Sequence, residues 1–105
     1  MPWGGPRNIG SYSTPALNVV GADNLFAATL VGIGASPGLG EAVLEQGPTN
    51  AGPWTPFGTS VPPGTYNDTG ASCFGHPTDL WVRATMTVTV NVWNGGLTLN
   101  EIVIA

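Results

Sequence analysis

The chain has 105 residues, enough for one domain with a single modest core. Charged residues make up only 8% of it, against about 25% in an average soluble domain, and the formal net charge is -4. With no lysine, and with Arg7 and Arg83 far apart in sequence, it offers no basic face, which excludes binding to nucleic acid through phosphates or to an anionic membrane surface.

A surface so short of charge resists association poorly, so much of it is expected to be buried against partners. In chain order, residues 1–24 read as an extended N-terminal arm. Pro2, Gly4, Gly5, Pro6, Gly10 and Pro15 interrupt it too often for a helix. "ALNVV" (Ala16–Val20) is a short strand candidate within it. Residues 25–105 are expected to form a single β domain. Leu25–Ile33 is its first strand, apolar on both alternating faces and so expected to be covered on two sides. The apolar run to Ala35 is too short to span a bilayer. Asp23 precedes it, and neither a cationic leader nor a cleavage site accompanies it, so no signal peptide or transmembrane segment is expected. Synthesis and folding in a cytoplasm agree with a single cysteine and hence no internal disulfide.

"GIGASPGLG" (Gly32–Gly40) imitates a nucleotide-binding loop. Pro37 stands where the dinucleotide fingerprint needs its third glycine, and the phosphate loop needs a lysine the chain lacks, so neither cofactor is expected. Residues 36–47 read as strand or as a single helical turn. Residues 47–79 carry six of the ten prolines and are expected to be a long, ordered Gly/Pro-rich loop pinned by its aromatic residues. That loop holds "ASCFGHPTD", with the chain's one cysteine and one histidine. Cys73, His76 and Asp79 offer too few closely spaced ligands for a metal, and nothing in a Gly-Pro loop fixes a base against the thiol. Cys73 is therefore expected to be a small buried apolar residue, replaceable by serine at little cost, and His76 an exposed one. The six carboxylates are scattered, with solvated or capping roles expected, and "NDT" (Asn67–Thr69) without a secretion signal is read as a chance glycosylation motif. No catalytic, metal or cofactor residue is assigned.

In "LWVRATMTVTVNVW" every even position from Leu80 to Val92 is apolar, and the odd positions are Trp81, Arg83, Thr85, Thr87, Thr89, Asn91 and Trp93. This pattern predicts a strand with one buried face. "NGG" then predicts a tight turn and "LTLNEIVIA" a return strand, making residues 80–105 a long C-terminal β-hairpin. A bulge near Asn100–Glu101 is expected, since Leu97 and Leu99 are out of phase with Ile102 and Ile104. Fourteen residues would extend about 46 Å, longer than a body of this size, so the hairpin must bend between two sheets or project. The fold class is all-β, a small β-sandwich or barrel.

Trp3, Trp54, Phe57, Tyr66, Trp81 and Trp93 are the candidate partner contacts, since tryptophan and tyrosine dominate interface hot spots. A short chain, almost no charge, Gly/Pro-rich arms and alternating Val/Thr strands together resemble small structural proteins of virus particles, particularly phage head decoration (cement) and tail-tip components. The resemblance implies a non-enzymatic assembly protein located in the virion. It would act as a homo-oligomer, with a trimer favoured, on a larger protein shell or tail assembly. The alternative is a glycan-binding, lectin-like β-module, in which Trp54, Tyr66 or Trp93 stack on sugars while Asn67 and Asp68 take hydroxyls.

Overall fold

A computed structural model describes residues 6–19, 25–33 and 38–102. Within them are nine strands and no helix: β1 (Pro6–Arg7), β2 (Gly10–Ser13), β3 (Leu17–Asn18), β4 (Leu25–Gly32), β5 (Leu39–Gly47), β6 (Thr55–Gly64), β7 (Gly70–Gly75), β8 (Trp81–Val90) and β9 (Trp93–Ile102). They form two antiparallel sheets packed as a sandwich and not closed into a barrel. One sheet runs β1-β9-β4-β7; the other runs β2-β8-β5-β6, with β3 also paired to β8.

The alternation read in residues 80–93 holds over 81–88 and fails at the ends, where Leu80, Val90 and Val92 are exposed and Trp93 is buried. Val82, Ala84, Met86 and Val88 are buried, while Trp81, Arg83, Thr85 and Thr87 form the opposite face. Facing them across the core are Phe26, Ala28 and Leu30 of β4 and Leu97 of β9. Leu44, Val61 and Cys73 complete the cluster. A fully buried leucine such as Leu44 contributes about 1.5–3 kcal/mol through desolvation alone.

The expected C-terminal hairpin is not there. β8 pairs with β5, β2 and β3, whereas β9 pairs with β4 and β1, so consecutive strands lie in different sheets. The chain changes sheet at Asn91–Val92, where Asn91 takes the left-handed conformation (φ 52°). Of the two outcomes that strand length allowed, the bend between sheets is the one observed. Gly95 and Gly96 are inside β9 rather than in a turn. The glycine at 95 serves close approach instead, because a Cβ there would lie 2.1 Å from the Val31 carbonyl oxygen and 2.3 Å from the Trp93 ring. Nor is there a bulge near Asn100–Glu101: β9 keeps one register against β4 from Gly95 to Ile102. Glu101 stands opposite Phe26 on the core-facing side, at the rim, where it is exposed.

The long loop expected over 47–79 also contains sheet. β6 and β7 occupy 16 of those residues, ten and six respectively. β6 is an edge strand, which is where proline is tolerated, and its Pro56, Pro62 and Pro63 deny a pairing edge to other chains. Its register against β5 breaks twice, at Gly40/Ala42 and at Val43/Leu44. The second break lets β6 reach the other sheet. Thr59 Oγ1 accepts from the Phe74 amide at 2.9 Å and donates to the Phe74 carbonyl at 3.3 Å. Of residues 36–47, which read as strand or a single helical turn, Leu39–Gly47 are strand β5, and 36 and 37 lie outside the described residues.

The segment 6–19 is extended, but it lies on its own domain. β1 pairs with the start of β9, and β2 and β3 run along β8. Between them, Thr14 and Val19 donate their amides to Ala84 and Leu80 carbonyls at 2.9 and 2.7 Å. β8 is thus an interior strand, with β5 along one edge and β2 and β3 along the other. β4 also departs from expectation on one point: its core side is fully buried, but Val31 on the other side is exposed.

Candidate functional site

The Cys73-x-x-His76-x-x-Asp79 stretch separates into three unrelated environments. Cys73 points from β7 into the core opposite Ala28 and is fully buried, as read from the sequence. Burial pushes its thiol above the ordinary value, so it is held neutral. Serine would place a hydroxyl in this apolar site at a cost of about 1–3 kcal/mol, more than the near-neutral exchange expected. His76 is exposed. Asp79 takes a capping role: its Oδ1 accepts the Leu80 amide at 3.1 Å. Gln46 Oε1 fixes the segment by accepting the Thr78 and Asp79 amides at 2.8 and 3.2 Å. Among the described residues no group of three His, Cys, Asp or Glu side chains lies close enough to hold a metal ion.

The aromatic candidates are dispersed. Trp93, expected on the polar face, is fully buried, because the sheet change at 91–92 resets its side; its Nε1 donates to the Thr65 carbonyl at 3.1 Å. Trp3 lies outside the described residues. Phe57 and Tyr66 pack partly against the core, and the Tyr66 hydroxyl donates to the Pro62 carbonyl. Tyr66 adjoins exposed Asn67 and Asp68 in a turn hung on the end of β4, where Gly32 donates to the Tyr66 carbonyl and accepts from Asp68, both at 2.9 Å. Trp81 is half-buried on β8 opposite Gly47. Trp54 is half-buried, with its ring 4.5 Å from the Arg83 guanidinium carbon.

Arg83 leads into an ordered polar face on the five-stranded sheet. Glu45 Oε1 accepts from Arg83 Nε at 2.9 Å and from the Thr85 hydroxyl at 2.6 Å. Since that bond uses Thr85's only hydroxyl hydrogen, Ser13, 2.8 Å away, must donate to Thr85. Ser11 and Thr87 form a longer pair at 3.3 Å one row further on. Beside these rows β6 and its register breaks border a groove of about 420 Å³. Its floor and walls include Glu41 and Val43, the hydroxyl side chains of β8, and Ser60, Pro62 and Pro63.

The outer face of the four-stranded sheet is different in kind. Leu25, Ala27, Thr29 and Val31 of β4 alternate away from the core, beside Ser72 and Phe74 of β7 and Thr98 and Asn100 of β9. None is charged. Phe74 is 45% exposed, Val31 37%, and Ile33, just past the strand, 52%. Thr29 and Ser72 share a hydrogen bond at 2.8 Å. Aromatic content alone did not indicate this face; the signal for it was the alternation of β4, whose second apolar row was read as covered. Other large apolar side chains are exposed at the ends of the sandwich, among them Leu80, Leu17, Ile9, Val90 and Val92. Comparison with protein-family models, with curated proteins and with solved structures gives no match at a significant level.

Proposed function

We propose that this protein is a non-enzymatic structural subunit, a small virion component such as a phage capsid decoration or tail protein, that works by self-association and by contact with a larger protein shell. The observation that carries the assembly reading is the uncharged outer face of the four-stranded sheet, with Val31, Ile33 and Phe74 open to solvent. The chain carries little charge to oppose association, and this face carries none. The virion assignment rests on the composition: little charge, Gly/Pro-rich segments and Val/Thr strands.

The glycan-binding alternative loses one of its stacking residues, since Trp93 is in the core, and a second, Trp54, is already covered on one side by Arg83. The deciding experiment is the solution mass by light scattering over a concentration series, for the wild type and for Val31→Glu/Phe74→Glu. The wild type is expected to associate. The double variant is expected to be monomeric with an unchanged melting temperature, because both side chains are exposed. A wild type that stays monomeric at high concentration, or a variant that associates equally well, overturns this reading.

A further inference from the structure

We propose that the groove between β6 and the hydroxyl rows of β8 binds a basic side chain, an alkylammonium or guanidinium group, presented by a protein partner. This deepens the assembly reading and rests on it for the source of the side chain.

Two carboxylates on β5 set the argument. Glu45 is engaged twice, by Arg83 and by Thr85. Glu41, four residues earlier on the same face, is also half-buried, yet among the described residues no donor reaches its carboxylate. It lines the groove. A partly desolvated carboxylate without a donor is the costlier state, and a cation or strong donor entering the groove relieves it.

The molecule cannot supply that cation from its own described residues. Arg83 is held between Glu45 and Trp54, and Arg7 stands over Tyr12 at 5.2 Å. There is no lysine. An external cation fits this place, and a net charge of -4 favours its approach.

The walls select the form of the cation. Val43, Pro62 and Pro63 give the groove an apolar flank, and Ser60 and Thr87 add hydroxyl acceptors. A lysine or arginine side chain matches this combination, laying its methylene stem on apolar surface while its head meets the carboxylate. A sugar ring would also offer donors to Glu41, but its apolar face ordinarily rests on an aromatic plane, and the groove lining contains none. The register of β6 against β5 breaks at Gly40/Ala42, beside Glu41 in the groove lining.

The test is an NMR titration of the intact protein with the capped tripeptide Gly-Arg-Gly, its Gly-Lys-Gly and Gly-Gln-Gly counterparts, and maltotriose, at low and high salt. Amide shifts are expected around Glu41–Val43, Ser60 and Thr85–Thr87 for the two basic peptides only, weakening with salt. Glu41→Gln is expected to weaken binding about tenfold, the loss of one charge-assisted hydrogen bond, while Glu101→Gln leaves it unchanged. The proposal is overturned if no shifts appear, if the neutral peptide or maltotriose binds as well, or if Glu101→Gln weakens binding as much as Glu41→Gln. Because the titration needs no self-association, a monomeric wild type in the mass measurement would remove the assembly reading and leave this result readable.

Discussion

The two outer faces of the sandwich are built from strands of similar length and share one core, yet they spend their polar residues differently. On the five-stranded sheet, Ser13, Thr85, Glu45 and Arg83 join into one hydrogen-bonded row that ends under Trp54. On the four-stranded sheet, Thr29 and Ser72 form a pair with no charged neighbour on that face, flanked by Val31 and Phe74. The Ser13–Thr85–Glu45–Arg83 row completes its own hydrogen bonds and has little to gain from a flat partner, and Glu41, beside it in the groove, is the exception on that face. A face with isolated hydroxyls and open apolar side chains loses nothing by being covered. Charge is scarce over the whole chain, and the outer face of the four-stranded sheet goes without it, while Glu41, Glu45 and Arg83 lie on the other.

The sharpest stability test of this contrast is Arg83→Ala. It removes the ion pair with Glu45 and the stacking on Trp54, and both charged side chains are well under one-third exposed. A loss of about 1–2 kcal/mol is expected, read by chemical denaturation. A change within a few tenths of a kcal/mol would show that the row is ornamental and that the faces are equivalent. A matched pair of smaller changes follows. Thr85→Val leaves Ser13 and Glu45 each short of a partner and is expected to cost about 1 kcal/mol. Thr29→Val breaks one bond on the more open sheet and keeps the β-branched shape, so a few tenths of a kcal/mol is expected. Equal costs would dissolve the distinction.

How much of this was legible in the sequence varies with what each signal depends on. The alternation of residues 82–88 reports a local fact, side-chain direction along one strand, and it placed that part of the core correctly. The identity of the partner strand is not local. "NGG" is a strong turn signal, but the turn uses Asn91, three residues earlier, and Gly95 is needed for the Trp93 ring. Strand length was the better guide, since a strand longer than the body had to bend. β6 was hidden because three prolines argue against a strand unless it lies at an edge, and edge position is a property of the assembled sheet. The same holds for the candidate surfaces. Few charges could be counted in advance, but that the outer face of β4, β7 and β9 carries none of them depends on which strands share a sheet. The groove lies beside two register breaks that no composition reveals.

A change that touches neither face gives the baseline for these comparisons, and Cys73 provides it. Burial raises its thiol above the ordinary value of 9.0. The sign follows from which state holds the proton more tightly. Below pH 9 the thiol is neutral in both folded and unfolded chains, and its contribution is fully present. As pH rises past 9 the unfolded chain ionises first, so stability declines until the folded-state value is passed. Tyr66, raised by burial from 10.0, adds a decline of the same sign at higher pH. Denaturation between pH 7 and 9 is therefore expected to give a flat stability, with a decline beginning just above 9. Cys73→Ala should lower the whole curve by about 1 kcal/mol for the lost packing and delay the onset of that decline toward the tyrosine range. If the alanine variant declines from the same pH as the wild type, the alkaline sensitivity does not come from Cys73, and Tyr66→Phe must be tested in its place.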